Sequence, residues 1–305
     1  MTSTTSTAAG RVVTPAVGTR GPLLSAPRRR GANRRRLLAH VLVYGAVTLA
    51  VIIVAFPLIW MLLAAVKSNA QILDLRASLW PSQFHWGNIK QAWDSAPFGR
   101  WFLNTVVFAG AATIGQILTG MLAGYAFAMY DFPGKRVLFY VLLSGLMVPF
   151  ATVIVPVVQI LGDLHWLNTY QGLIVPNIAS ALGAFLFRQF FLGAPAELGE
   201  AAHMDGASEL RIFFNVYAPL GRPIIAAFGI IAFLQNWNNF LFPLIVVNTT
   251  SMEVLSQGLS VFQTQFSTNY NLMMAAALIV VAPVLLVAVL AQRHIVEGIT
   301  LGAVQ

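Results

Sequence analysis

Two things are scarce in this sequence: it has no cysteine and few charged residues. The absence of cysteine excludes a disulfide framework, thiol catalysis and any cysteine-based metal site. Only 9% of the 305 residues are charged, whereas soluble domains average about 25%, and 58% are hydrophobic. Together with a mean hydropathy of +0.75, this composition excludes an ordinary soluble domain and predicts a membrane protein.

Acidic residues are also scarce, and the basic excess is concentrated at the N terminus. The chain has 10 Asp and Glu against 18 Lys and Arg, which gives a net charge of +8. Eight of the 18 basic residues, and no acidic one, lie in residues 1–36, which are rich in Ser, Thr, Ala and Pro. This pattern predicts a disordered basic tail that stays in the cytoplasm. An organellar transit peptide is an alternative, and a nucleic-acid partner is the least favoured interpretation.

Long apolar segments recur along residues 37–305. Because about 20 apolar residues cross a bilayer as one helix, the sequence predicts an all-α polytopic fold with about six transmembrane helices. The segments are 38–66, 102–130, 137–161, 171–192, 220–247 and 271–292. Prolines at 57, 149, 156, 176, 243 and 283 should kink or locally unwind these helices. Six spans put both termini on one side, which carries 14 of the 18 basic residues, so both termini are predicted to be cytoplasmic.

No catalytic or metal-binding constellation is visible. The five histidines are scattered without ligand spacing such as H-E-x-x-H, so we expect surface side chains rather than metal ligands. FPGKR at 132–136 lacks the first glycine and the Ser or Thr of a phosphate-binding P-loop. The cores of the six segments carry no Asp, Glu, Lys or Arg, the groups that proton-driven carriers use. A secondary carrier or channel for a polar neutral solute stays open, because sodium can be bound by carbonyls and hydroxyls.

Uncharged polar residues do occur at membrane depth, chiefly QNWNN in the fifth segment. Its members are Gln235, Asn236, Trp237, Asn238 and Asn239. Amides that pair with hydroxyls, beside an aromatic ring that can stack on a sugar, indicate a path for a polar solute. Interhelical hydrogen bonding explains the same residues equally well. Interhelical bonding is favoured for Asn104, Thr113, Gln116, Thr119, Asn177 and Ser180, and Gly120-x-x-x-Gly124 predicts a close-packing face.

A polar stretch, EAAHMDGAS at 200–208, separates the fourth and fifth apolar segments. Pro195 suits the first turn of a helix, Gly206 suits its left-handed stop, and Ser208 can cap a second helix. That second helix should carry one apolar face and end at Pro219. The expected face consists of Leu210, Phe213, Phe214 and Tyr217. The residues alone predict a helix–turn–helix on the cytoplasmic side, for which tying two spans together is a sufficient role.

The same stretch resembles a known motif. Glu200-Ala201-Ala202, Gly206 and VYAP at 216–219 have the spacing of the EAA motif of bacterial ABC importer permeases, E-A-A-x3-G-x9-I-x-L-P, with apolar Val216 and Ala218 for its Ile and Leu. From about residue 80 to 305 the chain is similar to carbohydrate-uptake permeases of the MalG type. The motifs are DFPGKR at 131–136, MVP at 147–149, LNTYQGLIVP at 167–176, RQFF at 188–191, MDGAS at 204–208, WNNFLFPL at 237–244 and GITLGAV at 298–304.

This resemblance implies a permease subunit of a binding-protein-dependent sugar importer in the bacterial cell membrane, with residues 37–305 as its transmembrane domain. The implied partners are a sister permease, two cytosolic ATPase subunits and an extracytoplasmic sugar-binding protein that faces 248–270. The chain would bind no cofactor or metal of its own, since ATP and Mg²⁺ belong to the ATPase. The ATPase-coupling residues would be Glu200, Ala201, Ala202, Asp205, Gly206, Ala207, Phe213 and Pro219. The family often has a basic residue at the position of His203.

Overall fold

The computed structural model of the protein describes residues 30–74, 76–262 and 268–302. All regular elements in these ranges are helices, which confirms the predicted all-α fold. The α-helices are α1 (Arg30–Ala65), α2 (Asn69–Leu73), α3 (Gly87–Asp94), α4 (Phe98–Met129), α5 (Lys135–Ser144), α6 (Phe150–Asp163), α7 (Tyr170–Ile174), α8 (Ala181–Leu192), α9 (Ala196–Met204), α10 (Glu209–Ile212), α11 (Ala218–Leu220), α12 (Arg222–Trp237), α13 (Leu241–Val246) and α14 (Tyr270–Gly302). Short 3-10 helices cover Gly145–Met147, Val175–Asn177 and Leu255–Phe262, and a π-helix covers Phe213–Tyr217.

Three helices are long and apolar enough to cross a membrane, and the described residues reach six spans if each of three bent pairs counts as one. The long stretches are His40–Ala65 in α1, Phe98–Met129, which is α4, and Tyr270–Val287 in α14. They match the first, second and sixth predicted segments. The third and fourth segments coincide with bent helix pairs, with bends of 101° before α6 and 42° before α8. The third bent pair, Glu209–Leu220 with Arg222–Trp237, overlaps the fifth segment only in part, and that segment is interrupted between the end of α12 at Trp237 and the start of α13 at Leu241.

Proline explains one of these breaks directly. Val148, which precedes Pro149, has extended backbone angles (φ −83°, ψ 117°) and ends the 3-10 turn after α5. A residue before proline is sterically kept out of the helical region, so the chain turns there. Pro176 lies in the 3-10 turn before α8, as expected for a local unwinding. Pro57, Pro156 and Pro283 instead lie within continuous helices, so no break in the helix accompanies these three prolines.

The closest helix pair is α4 with α8, and glycines make it possible. A Cβ atom added to Gly124 would lie 2.7 Å from the backbone nitrogen of Arg188, and one on Gly120 would lie 3.1 Å from the carbonyl carbon of Gly183. The first distance is too short for a side chain and the second is tighter than most Cβ contacts, so the two backbones meet along this seam. The predicted close-packing face is therefore confirmed.

Polar side chains of α4 satisfy the backbone where the fourth span breaks. Gln116 Nε2 donates to the carbonyl oxygen of Asn177 at 2.8 Å, and Thr119 Oγ1 donates to that of Ile178 at 2.7 Å. These carbonyls lie in the interrupted region, where the helix does not supply its usual donors. The interhelical interpretation of Gln116 and Thr119 is confirmed, and it explains why an apolar helix carries them.

The chain divides into two compact units, Met1–Ala55 and Phe56–Gln305. In the first unit the described side chains of α1 are mostly exposed and apolar, as in Leu42, Val47 and Ile53. An all-round apolar helix of this kind suits a lipid environment. Residues 1–29 of the expected basic tail lie outside the described residues. The features discussed below all belong to the second unit.

Candidate functional site

The coupling loop, which we define as residues 195–221, begins with α9 and its left-handed stop. Pro195 occupies the N-cap position, one residue before the predicted first turn. At the other end Gly206 has φ +76°, its N–H donates to the carbonyl of His203 at 2.9 Å, and the N–H of Ala207 donates to that of Ala202 at 3.0 Å. These two bonds form a Schellman closure. Ala202 and Gly206 therefore fix where α9 ends and in which direction the chain leaves.

The second helix of the loop differs from its predicted form. Ser208 sits at the N-cap with extended backbone angles, but its side chain makes no capping bond. After α10 the chain winds as a π-helix over Phe213–Tyr217 and returns to an α-turn that contains Pro219 and ends at Leu220. Pro219 therefore does not end the helix. The chain bends by 79° into α12.

The single apolar face expected on this helix is wrong. Phe213 and Tyr217 are each 3% exposed and point inward, whereas Leu210 and Phe214 are 65% and 52% exposed. The added residue of a π-turn shifts the angular positions of side chains, so a stripe read at α-helical spacing is split between two sides. Phe213, expected to meet the ATPase, is instead buried in the protein's own packing.

The inward side of the loop rests on an aromatic cluster at the end of α4. The ring of Tyr125 lies 5.1 Å from that of Phe213, 5.3 Å from that of Tyr217 and 5.5 Å from that of Phe191 on α8. Ala202 and Ala207, two of the expected coupling residues, pack against the same cluster. Interlocked aromatic rings of this kind resist sliding, so the loop and the α4–α8 pair form one packed body.

Glu209 makes a polar link between the loop and α4 that the sequence did not reveal. One carboxylate oxygen lies 2.6 Å from Nε2 of His203, and the other accepts a hydrogen bond from the hydroxyl of Tyr130. Burial, and then the hydrogen bond to the Glu209 carboxylate, raise the pKa of Tyr130 above its usual value. His203 therefore pairs within its own chain in this conformation. A pocket of about 190 Å³ beside this link is lined in part by Glu200, Gly199 and Tyr217.

The outward side of the loop combines charge with apolar surface. Glu200, Ala201, Asp205, Gly206 and Pro219 are all exposed. Apolar side chains accompany them, with Met204 at the turn 88% exposed. The exposed apolar side chains are Leu198, Met204, Leu210, Phe214 and Leu220. Exposed apolar side chains grouped on one loop, with charges among them, are typical of a protein-binding surface.

The QNWNN residues divide between packing and exposure. Asn236 is buried, with Nδ2 3.3 Å from Thr113 Oγ1 and 3.4 Å from Gln116 Oε1. Asn239 Oδ1 accepts the N–H of Phe242 at the start of α13. Asn236 and Asn239 thus serve the helices themselves. Gln235 and Asn238 have exposed side chains, and the Asn238 amide donates to the carbonyl of Leu234.

Trp237 is the unusual member of the group. Its ring is 3% exposed and packs against Phe102 and Phe233, at centroid distances of 5.9 and 5.5 Å. Its Nε1–H has no hydrogen-bond partner among the described residues. Buried indole N–H groups usually find an acceptor. The Trp237 donor beside the α12–α13 break is an exception in the present conformation.

The segment after α13 is anchored to the start of α4 by Asn104, predicted only to bond between helices, and by Trp101. Asn104 Nδ2 donates to the carbonyls of Ser251 and Glu253 at 2.9 and 2.8 Å, and Trp101 Nε1 donates to that of Thr250 at 2.7 Å. The hydroxyl of Tyr170 in turn donates to Asn104 Oδ1 at 2.7 Å. Since backbone acceptors of a distant loop leave no sequence signature, this anchoring could not have been predicted.

Metal binding has no support in the part of the chain that the structure describes. No group of three or more His, Asp or Glu side chains there is placed to hold a metal ion.

Comparison with known proteins identifies the family. Residues 116–301 match the family described as the binding-protein-dependent transport system inner membrane component. The chain belongs to this family. It is therefore a multi-pass membrane permease component, and the resemblance stated from the sequence is confirmed. The coupling loop and the QNWNN residues both lie within the matched region.

Individual relatives agree with this assignment along most of the chain. The sn-glycerol-3-phosphate transport system permease protein UgpE of Pectobacterium atrosepticum is 35% identical, with 88% of this chain and 97% of the relative covered. The arabinooligosaccharides transport system permease protein AraQ of Bacillus subtilis is 32% identical, with 82% and 90% covered. A crystal structure of a bacterial ABC transporter that imports the acidic polysaccharide alginate shares the fold, with a TM-score of 0.73, 20% identity, and 88% and 99% covered.

Proposed function

We propose that this chain is the membrane-spanning permease subunit of an ATP-driven ABC importer for a sugar or oligosaccharide, and that the coupling loop is where the ATPase docks. The observation that carries this proposal is the two-sided construction of the loop. One side is locked into the α4–α8 body through Phe213 and Tyr217, and the other exposes Met204 and Glu200. A surface that is apolar outside and rigidly backed inside can transmit a partner's motion to the spans.

The residues of the loop take different roles in this proposal. Glu200 and Asp205 make polar contacts with the ATPase, and Ala201 and Pro219 lie on the same exposed surface. Gly206 sets the bend between the two helices through its left-handed conformation. Ala202, Ala207 and Phe213 pack into the aromatic cluster at the end of α4 and so hold the loop to the membrane domain. Leu210 and Phe214, which the π-turn exposes, supply the apolar contact first assigned to Phe213.

The proposed roles of the loop residues imply that this chain works with partner proteins. In this proposal ATP and Mg²⁺ bind to two cytosolic ATPase subunits, and residues 132–136 of this chain, which lack the pattern of a phosphate-binding loop, take no part in nucleotide binding. A homologous sister permease completes the pathway, and an extracytoplasmic binding protein delivers the solute to the side of 248–270. The loop side, and with it both termini, is cytoplasmic, as the distribution of basic residues favours.

The break between α12 and α13 is the proposed contribution of this subunit to the pathway. Discontinuous helices at membrane depth expose backbone and side-chain groups that can bind a polar solute. Gln235 and Asn238 are the accessible members of QNWNN in this conformation. Trp237 holds an unsatisfied donor close by, which a rearranged break would present to a hydroxyl-rich solute.

A sugar is favoured as the solute class because the accessible groups are amides rather than charges. The relatives transport an arabinooligosaccharide and sn-glycerol-3-phosphate, and the second is anionic. The described residues beside the α12–α13 break offer amides and an indole rather than a cation, which suits a neutral polyol. A secondary carrier or channel is disfavoured by the family assignment and by the uncharged span cores.

The test is reconstitution of the whole importer in proteoliposomes with its sister permease, ATPase and binding protein. ATP hydrolysis is measured with neutral oligosaccharides, monosaccharides and sn-glycerol-3-phosphate. Stimulation by a neutral sugar, with none by the phosphate ester, supports the proposal. Stimulation by the phosphate ester alone contradicts the substrate class, and uptake without any ATPase contradicts the function.

A further inference from the structure

Three basic side chains converge near the coupling-loop end of α4 in a pocket that the transport function does not use. The pocket measures about 360 Å³ and lies between the end of α4, the first turns of α5 and the last turn of α8. It is lined by Asp131, Lys135, Arg136, Phe139, Tyr140 and Arg188. Tyr130, which bonds Glu209 of the coupling loop, immediately precedes Asp131, so the pocket lies at the same membrane face as that loop.

Arg188 is held in place rather than free to extend into water. Its Nε donates to the carbonyl of Phe127 at 3.1 Å, and its guanidinium carbon lies 4.3 Å from the centroid of the Phe139 ring. Phe139 is itself buried between Phe127 and Phe185, with centroid distances of 5.4 and 6.5 Å. Aromatic stacking and a carbonyl bond thus fix the direction of the positive charge, which pre-organises it for an anion.

The charge balance of the pocket favours an anion. In the described ranges no carboxylate pairs with Arg136 or Arg188. Lys135 pairs at 3.2 Å with Asp131, whose side chain is fully exposed and therefore easily displaced. In addition, α5 begins here, with Gly134 as an N-cap that offers no capping side chain. The positive end of the helix dipole adds to the three cations.

The surface beside the pocket indicates where the anion comes from. Along α5 the next side chains are apolar and exposed, with Val137 65%, Leu138 53% and Val141 61% exposed. Tyr140, 68% exposed, lines the pocket on the same helix, and aromatic residues of this kind are enriched at the headgroup boundary. If the phosphate of a phospholipid occupies the pocket, the acyl chains of that lipid would lie on the apolar surface of α5. A soluble phosphate would leave this apolar surface uncovered.

We propose that this pocket binds the phosphate of an anionic phospholipid from the leaflet next to the coupling loop. The bound headgroup joins the ends of α4, α5 and α8, which are the elements that carry the loop. Basic pockets between transmembrane helices on the cytoplasmic side have the composition that recognises such headgroups. Only the assignment of this leaflet as cytoplasmic rests on the proposed function.

The assembled importer is purified and titrated with phosphatidylglycerol, with phosphatidylcholine or with inorganic phosphate, and bound species are counted by native mass spectrometry. The variants are Lys135→Gln/Arg136→Gln, Asp131→Asn and the control Lys90→Gln, an exposed lysine on α3. Each removed charge should weaken phosphatidylglycerol binding about fivefold, and Asp131→Asn should strengthen it severalfold. Lys90→Gln should change nothing. Arg136→Gln alone carries the test if the double variant does not assemble.

Loss of phosphatidylglycerol in the double variant, with retention in the control, supports the site. Equal binding by the double variant and the wild type overturns it, as does equal binding of phosphatidylcholine. If millimolar inorganic phosphate displaces the lipid, the ligand is a soluble phosphate and the lipid assignment is wrong. Lipid binding does not require transport, so loss of transport with retained lipid counts against the proposed function alone.

Discussion

His203 and Glu209 lie 2.6 Å apart across the turn of the coupling loop, with Nε2 of the imidazole facing one carboxylate oxygen. The other oxygen of Glu209 accepts from the hydroxyl of Tyr130, so one carboxylate joins both helices of the loop to the end of α4. A push on the exposed turn therefore reaches the membrane helix through a polar contact as well as through packed rings. His203 thus supports the loop's own geometry.

Replacing Glu209 by alanine should uncouple transport from ATP hydrolysis without unfolding the protein. The His203 and Glu209 side chains are about half exposed, so the pair contributes about 1 kcal/mol or less to stability. We expect a thermal midpoint close to that of the wild type and fewer molecules transported per ATP in proteoliposomes. Glu197→Ala, on the exposed part of α9, is the control and should transport normally. Equal coupling ratios in the two variants would remove the link from the mechanism.

Gly206 should tolerate asparagine better than valine. Its φ of +76° costs about 1–2 kcal/mol for an ordinary residue and more for a β-branched one, whereas asparagine adopts this region readily. No neighbouring atom lies within 4 Å of an added Cβ, so any difference comes from the backbone alone. We expect ATPase co-purification and uptake to be retained in Gly206→Asn and strongly reduced in Gly206→Val. Identical behaviour of the two would show that the bend is dispensable.

Replacing one glycine of α4 by alanine should destabilise the contact between α4 and α8, and replacing another glycine of the same helix should not. A Cβ at Gly124 would lie 2.7 Å from Arg188 N and from Phe187 Cβ, whereas one at Gly110 meets nothing within 4 Å. Overpacking of this kind costs about 1–3 kcal/mol. Gly124→Ala should lower the thermal midpoint of the purified complex, and Gly110→Ala should leave it unchanged. A lower midpoint in Gly110→Ala alone would contradict the described packing.

Substitutions at two adjacent amide residues should have different effects, one on stability and the other on transport. Asn236→Leu removes bonds to Thr113 and Gln116, worth about 0.6 kcal/mol each in a membrane, and should lower the thermal midpoint slightly. Gln235→Leu alters an exposed side chain at the proposed pathway and should change the KM for uptake without changing the midpoint. Uptake assays at several substrate concentrations, with thermal scans of the same preparations, make the comparison. An unaltered KM in Gln235→Leu would remove that residue from the pathway.

Glu253 should make the protein less stable as the pH rises. Burial in the segment after α13 raises the pKa of this carboxyl above its usual 4.5. The folded state then holds the proton more tightly than the unfolded state, so the contribution of Glu253 to stability is fully present below pH 4.5 and is lost as the pH rises through the folded-state pKa. Glu253→Gln should flatten this part of the curve of thermal midpoint against pH. A Glu253→Gln curve that runs parallel to that of the wild type over this interval would contradict the raised pKa.

Some of the coupling loop could be predicted because its signals are local. Gly206 indicates a left-handed residue at the end of α9. The N–H of Ala207 and the carbonyl of Ala202 lie where a Schellman motif forms a hydrogen bond. The π-turn at 213–217 has no such signal, since it depends on how Phe213 and Tyr217 pack against Tyr125. The single apolar face predicted for this helix is consequently split between two of its sides.

The membrane spans, like the coupling loop, could be predicted only in part from the sequence. Hydropathy locates the three long spans, because the need for about 20 apolar residues is a property of the lipid, and the other predicted segments fall on bent or interrupted helices. Their interruptions were only partly predictable: Pro149 forces a break, whereas Pro156 is accommodated within α6. The role of Gln116 depended on a carbonyl in another helix, at Asn177, and no pattern in α4 alone contains that information.

Docking of the ATPase on the exposed turn of the coupling loop is the central claim, and the absence of cysteine allows a direct measurement of it. A photoreactive maleimide is attached to Met204→Cys or, as the control on the segment between α2 and α3, to the exposed Trp80→Cys, in the assembled importer. We expect illumination to join this chain to the ATPase from position 204, in an amount that changes when ATP binds, and not from position 80. No ATPase adduct from position 204, or equal adducts from both positions, would contradict the account.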